Sequence, residues 1–220
     1  MYLIVFGAPG VGKGTQAKIL SQKLNIPHIS TGDILRQAVK NQTELGKKAK
    51  TIMDAGELVS DAIMIGIINE TLIEDQCKNG CILDGFPRTV QQAEELDKLF
   101  TKLNITDVLL ISFEAKDDEI VKRLTNRRSC KSCQNIFNLA EIENLRVCPQ
   151  CGAKDSFYQR NDDTEGVIRN RLEVFASTTR PVLDYYATRR EIIHIDGDQK
   201  VDDVSRDMLK YIKEKTGIII

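Results

Sequence analysis

Four groups of residues in this chain have types and spacings suited to chemistry. The first is Gly7-Ala8-Pro9-Gly10-Val11-Gly12-Lys13-Gly14-Thr15, which meets the spacing G-x-x-x-x-G-K. Glycines let a backbone curl with its N–H groups inward, and a helix starting there adds partial positive charge. Such a loop is an anion nest, and Lys13 supplies a full charge to outer phosphates. It departs from the general motif at one place. Gly14 stands where a Ser or Thr usually meets a metal ion, and Thr15 follows one place later. The plainer alternative is a tight turn; a strand before the loop and a helix after it favour phosphate.

The second group is a set of arginines: Arg36, Arg88, Arg123, Arg127, Arg160 and Arg171. Phosphoryl transfer asks a protein to position two anions and to neutralise charge spreading over the migrating group. The planar guanidinium fork binds phosphate oxygens in pairs. A lone arginine is as a rule a solvated helix face, and Arg123 with Arg127, at i and i+4, fits that description. Arg88 differs, because it follows a strand end at Gly85-Phe86-Pro87, where clefts of open sheets form.

Asp84, closing an apolar stretch, either holds a water of a magnesium shell or forms a turn with Gly85. The first is favoured, because nucleotide-phosphate sites bind Mg²⁺ through waters and few carboxylates. Asp162 and Asp163 read as groups that orient neighbouring arginines. They need move no proton, since a phosphate oxygen is already ionised when it attacks.

The fourth group is Cys130-Lys131-Ser132-Cys133 and Cys148-Pro149-Gln150-Cys151, two C-x-x-C pairs with 14 residues between them. Four thiolates satisfy zinc with no open position, so such a site is structural. A redox pair or two disulfides are the rival readings, and both suit a cytosolic chain less well. Cys77 and Cys81 lie outside the pattern and read as small apolar residues at the edge of the core.

The elements that must carry these groups are short apolar runs alternating with helical stretches. Tyr2 to Phe6, Cys81 to Leu83, Val108 to Phe113 and Ile192 to Ile195 read as strands buried on both faces. Ala17, Leu20 and Leu24 form a helical stripe, and Asp117-Asp118-Glu119 an acidic helix start. This alternation implies a parallel sheet with helices on both sides. Two segments break it. Residues 126–163 carry four of the six cysteines and little periodicity, as a small stapled insertion would. Residues 30–59 are mostly helical, with Gly46 and Gly56 as breakers.

Composition bounds the rest. With 220 residues, 41% hydrophobic and 29% charged, the chain has apolar material for a real core, which excludes disorder, collagen and coiled coil. Its net charge of −1 makes it a poor general binder of polyanions. No basic segment precedes the apolar start, and no run approaches a membrane span, so a soluble cytoplasmic chain is expected. The tail Ile218-Ile219-Ile220 either packs back as a last strand or frays.

The phosphate loop continued to Gln16 closely resembles that of the adenylate kinases, nucleoside monophosphate kinases in which G-K-G-T is normal. Three further segments share the resemblance. They are Ile29-Ser30-Thr31-Gly32-Asp33-Ile34-Leu35-Arg36, Leu83-Asp84-Gly85-Phe86-Pro87-Arg88-Thr89, and Arg160 through Asp163 to Arg169-Asn170-Arg171-Leu172. The bacterial type with a zinc-bearing lid is the nearest pattern, although some of its members put an acidic residue at the fourth ligand and this chain has four cysteines.

The resemblance implies transfer of the terminal phosphoryl of ATP to AMP, giving two ADP, with Lys13, Arg88, Arg127, Arg160 and Arg171 catalytic. Gly10, Val11, Gly12, Lys13, Gly14 and Thr15 would cradle ATP phosphates, with Arg123 against the adenine and Arg127, Ile136, Phe137 and Gln199 completing the donor side. On the acceptor side, Arg36 and Arg88 would clamp the AMP phosphate, with Arg160 and Arg171 also meeting AMP, while Arg127, Arg160 and Arg171 would close over the transferring phosphoryl and ATP phosphates. Thr31 and Gln92 would read its base, with Glu57, Leu58, Val59, Gly85, Phe86 and Pro87 around it. Asp84 would meet Mg²⁺ through water, and Cys130, Cys133, Cys148 and Cys151 would hold Zn²⁺.

The expected fold is α/β, a P-loop kinase with a parallel five-stranded sheet flanked by helices. The core would comprise residues 1–29, 60–125 and 164–220, with an NMP-binding excursion at 30–59 and a zinc-binding lid at 126–163. A monomer without nucleic-acid or membrane partners is expected. A UMP/CMP kinase of the same fold is the nearest rival, and Thr31 argues for AMP. A zinc-ribbon module binding nucleic acid is the rival from another class.

Overall fold

The computed structural model describes residues 1–217, so the Ile218–Ile220 tail lies outside the described residues. The chain begins with β1 (Tyr2–Gly7), α1 (Lys13–Leu24), β2 (His28–Ser30), α2 (Thr31–Lys40), α3 (Glu44–Asp54) and α4 (Asp61–Leu72). Next come β3 (Ile82–Asp84), α5 (Val90–Lys102), β4 (Val108–Glu114) and α6 (Asp117–Thr125). Then follow β5 (Arg127–Cys130), β6 (Ile136–Asn138), α7 (Leu139–Ile142) and β7 (Phe157–Tyr158). The chain closes with α8 (Glu165–Val174), α9 (Arg180–Ala187), β8 (Ile192–Asp196) and α10 (Val201–Thr216), with one π-helical turn (Phe175–Thr179) joining α8 to α9.

Five strands form a parallel sheet in the order β2-β3-β1-β4-β8. Alternation along each strand sends neighbours to opposite faces. Ile4 and Phe6 join Leu83, Leu110, Leu96, Phe100 and Tyr186 on one side, beneath α4, α5 and α9. Leu3 and Val5 join Ile82, Ile111, Phe113, Ile193 and Ile195 on the other, beneath α1 and α10. This double burial is why those strands read as unbroken apolar runs. Cys77 and Cys81 are fully buried in the first layer, as expected.

The expected strand runs hold within a residue or two. The fifth strand, His28–Ser30, carries a single apolar residue, Ile29, and so left no apolar run to read. The helix after the loop starts at Lys13, inside the glycine motif. Gly46 corrects an expectation: it lies inside α3 and breaks nothing. A Cβ there would sit 2.1 Å from the Ala38 carbonyl oxygen, so its missing side chain lets α3 lie against α2. Gly56, at φ +81°, does end its segment.

β5, β6 and β7 form a second, antiparallel sheet in the order β6-β5-β7, beginning just after the end of α6. Among the described residues, no helix is long and apolar enough to cross a membrane.

Candidate active site

The loops that follow the carboxyl ends of the parallel strands gather the chemistry, as open α/β sheets require. β1 delivers the glycine loop to α1. Gly10 has φ +84°, and a Cβ on it would lie 2.6 Å from Leu124 Cγ, so no other residue fits this close turn. Lys13 folds back over the loop, its Nζ donating to the carbonyls of Gly7 at 2.6 Å and Ala8 at 2.9 Å. Burial pulls its pKa down to about 8; Asp84 opposes this, while Arg88, Arg171 and Arg127 add to it. The charges of Arg88, Arg171 and Arg127 thus reach Lys13 electrostatically.

Asp84 ends β3, and its Oδ2 lies 3.4 Å from where a Cβ of Gly14 would be. It therefore faces the glycine loop, as a metal-shell carboxylate would. Burial raises its pKa, but the hydrogen bond from His28 Nε2 at 3.1 Å, with Lys13 and Arg88, overrides burial and leaves the carboxyl below its ordinary value. It stands ionised, ready to hold a hydrated cation. His28 went unread in the sequence because only the pairing of β2 with β3, which sets Ser30 beside Asp84, reveals the neighbour.

A cleft opens beside this point, lined by Thr31, Arg36, Glu57, Leu58, Val59, Gly85, Arg88, Gln92 and Arg171 among others. Nine of the residues expected around the acceptor thus share one wall. Thr31 Oγ1 donates to the Gly85 carbonyl at 2.8 Å, and Arg88 Nε to the same carbonyl at 2.7 Å. Gln92 Oε1 accepts from the Arg88 backbone N–H at 2.8 Å, while its Nε2 donates to Asp61 at 2.7 Å. Asp61, unread in the sequence, thereby steers Gln92 from 31 residues away. Arg36 pairs with Asp33, yet its buried Nε has no partner among the described residues, a vacancy an anion oxygen would satisfy. Phe86 is buried in the core and Pro87 follows it, so these two shape the turn from behind and do not line the cleft.

The far side carries the remaining arginines. Arg127 corrects the one-face reading of Arg123 and Arg127: α6 stops at Thr125, and Arg127 opens β5. Asp163 takes Arg127 Nε at 2.8 Å, and Asp162 takes Arg171 at 2.9 Å, the orienting role expected of both acids. Burial, with Arg171 as the next cause, lowers Arg88 to about 10; burial, with Arg36 and Arg127, lowers Arg160 to the same value. Both stay charged at neutral pH. Asn170, also unread, donates to the Ala55 carbonyl and to Glu57 Oε1, each at 2.9 Å, tying α8 to the end of the acceptor excursion.

The remaining donor-side residues are more spread. Arg123 Nη1 donates to the Gly197 carbonyl at 2.7 Å, which brings the 197–199 loop to α6; Gln199 turns to Asp207 at 3.2 Å. Ile136 and Phe137 lie on β6, Ile136 exposed and Phe137 edge-on to Phe157 at 5.5 Å.

The four cysteines of residues 130–151 lie with their sulfurs within 4.8 Å of one another. The Cys130–Cys151 sulfurs are 3.7 Å apart and the Cys133–Cys148 sulfurs 3.8 Å. A disulfide needs ~2.05 Å. A tetrahedron of thiolates around zinc, with bonds of ~2.3 Å, has sulfur edges of about 3.8 Å. The spacing fits the metal site and excludes the two-disulfide reading for this arrangement.

Comparison with known proteins agrees with the geometry. The family model described as "Adenylate kinase" matches residues 5–191. A relative named adenylate kinase from Methanocella arvoryzae is 45% identical over 97% of this chain and 99% of its own length. One of the same name from Caldicellulosiruptor saccharolyticus is 46% identical over 96% and 99%, and one from Archaeoglobus fulgidus 45% over 98% and 99%. With its phosphate loop, its converging cations and these full-length relatives, the chain belongs to the adenylate kinase family of enzymes.

Proposed function

We propose that this chain catalyses reversible, Mg²⁺-dependent transfer of the terminal phosphoryl group of ATP to AMP, giving two ADP. The observation that carries this reading is the cleft lined by Thr31, Arg36, Arg88, Gln92 and Arg171, which reaches Gly85 next to Asp84, the carboxylate that faces the glycine loop of Lys13. An AMP phosphate oxygen attacks the terminal phosphorus in line; its bond forms as the bond to the β-phosphate oxygen breaks, and ADP leaves. Lys13 and the loop amides hold the donor phosphates, and Arg88 and Arg36 hold the acceptor phosphate. Arg127, Arg160 and Arg171 balance the charge spreading over the migrating group. Magnesium, met through water by Asp84, supplies further charge neutralisation when bound.

Residues 30–59 act as the acceptor arm and 126–163 as a lid, around a core of 1–29, 60–125 and 164–220. Zinc on Cys130, Cys133, Cys148 and Cys151 stiffens a lid too small to bury its own core. Closing that lid excludes water from the phosphates. The chain works as a cytoplasmic monomer, as the family resemblance suggests.

A coupled assay of ADP formation with AMP, UMP, CMP and GMP as acceptors tests the reading. AMP turnover well above the other three supports it. Preference for UMP or CMP would reassign the acceptor, and nucleic-acid binding without ATP or AMP binding would overturn it.

A further inference from the structure

Resting on the assignment of Arg160 to the migrating phosphoryl group, we propose that Ser129 is a positioning residue for the reaction: its hydroxyl aims the Arg160 guanidinium. Arg160 Nε donates to Ser129 Oγ at 3.0 Å, with Ser129 fully buried and Arg160 8% exposed. Ser129 sits on β5, the middle strand of its sheet, paired with Ile136 on one side and Tyr158 on the other. Its backbone is thereby fixed from both sides. Tyr158 in turn lies two residues before Arg160, so the anchor and the arginine share one short stretch of sheet.

The choice of partner matters. Arg36, Arg127 and Arg171 are held by the carboxylates of Asp33, Asp163 and Asp162. Each carboxylate orients its arginine and also cancels part of its charge. Ser129 orients Arg160 through a neutral oxygen. It uses only Nε, and both terminal nitrogens of Arg160 make no hydrogen bond among the described residues. A planar fork held at its stem, with both tines free and no carboxylate within ion-pair distance among the described residues, though Asp162 and Asp163 act on it from further off, is arranged for two oxygens of a phosphoryl group. Losing the anchor would let the fork rotate, and small misplacements of such groups cost rate more than binding.

The test uses the full chain with its metal, as Ser129→Ala, Ser129→Thr, Arg160→Lys and the double variant Ser129→Ala/Arg160→Lys. Removing a hydrogen bond to a charged group should lower kcat of Ser129→Ala about tenfold, with KM for ATP and AMP nearly parental. Ser129→Thr should recover most of that loss; the zinc content of Ser129→Ala should match the parent, with only a modest fall in melting temperature from the buried donor left unpaired. A lysine carries a point charge and no planar fork for Ser129 to aim, so Ser129→Ala should cost little further in the Arg160→Lys background. Parental kcat in Ser129→Ala, an equal further loss in the double variant, or a Ser129→Ala chain that sheds its zinc would each overturn the proposal. If Arg160→Lys itself keeps parental turnover, the assignment of Arg160 falls, and that outcome is separate from failure of Ser129 alone.

Discussion

Asp163 holds Arg127 through both carboxylate oxygens, Oδ2 at 2.8 Å from Nε and Oδ1 at 2.5 Å from Nη2, in a carboxylate with no exposed surface. The pair joins the first strand of the small sheet to the turn by which the chain leaves it. The same Oδ1 lies 3.7 Å from Arg171 Nη1, so one buried acid serves two cations. Removing one partner of a buried pair costs about 3–5 kcal/mol. Asp163→Ala should therefore melt well below the parent and lose turnover by ~10²-fold, since misplaced cations forfeit rate. Calorimetry and steady-state kinetics check both, and parental values in either would remove Asp163 from this role.

In the proposed reaction Lys13 holds the donor phosphates and Arg88 the acceptor phosphate. Lys13→Met and Arg88→Ala should each lower kcat by ~10²–10³, as preorganised donors to a transition state do. Near-parental turnover in the purified double variant would refute the assignment.

The depressed pKa of Lys13 makes a prediction with a sign. The free enzyme needs the charged ammonium to receive phosphates, and burial has brought its pKa to about 8. The kcat/KM for ATP should fall as pH rises through about 8, whereas kcat should hold to higher pH because bound phosphates favour the charged form. Stability runs the other way. The unfolded chain keeps the lysine proton up to 10.5, so between about 8 and 10.5 it binds more protons than the fold, and stability from this group rises with pH. Below 8 the penalty is fully present. Lys13→Met should abolish that rise, and pH-dependent melting would show whether it does.

Metal removal separates scaffold from chemistry. Zinc analysis should return about one ion per chain, as one four-thiolate site takes one ion. Chelation, or Cys130→Ser with Cys133→Ser, should lower the melting temperature more than the rate of the phosphoryl step in chains that remain folded. Unchanged metal content and melting in that double variant would contradict a structural zinc site.

Much of this was legible before folding, for a physical reason. Gly10 and Gly12 require backbone that other residues cannot adopt, and two cysteine pairs have few alternative uses, so local chemistry names them. The apolar runs of β1 and β4 announce themselves because both faces are buried. What stayed hidden depends on pairing across the chain. His28 acquires meaning only beside Asp84, 56 residues on, and Asn170 only against Ala55, 115 residues back. β2 is too short to carry a pattern, and Gly46 looks like a breaker until α2 is laid against it.

Gly10 rests on Leu124, the last buried side chain before the chain enters the cysteine-bearing sheet at Arg127. Leu124 is thus an abutment: it walls the glycine loop on one side, packs with Ile120 and Ile168 on the other, and stands three residues before the outer sheet begins. A methyl group at Gly10 would do more than crowd a ligand. It would act as a jack beneath the outer sheet, so a substitution made in the cradle would register as a displaced roof.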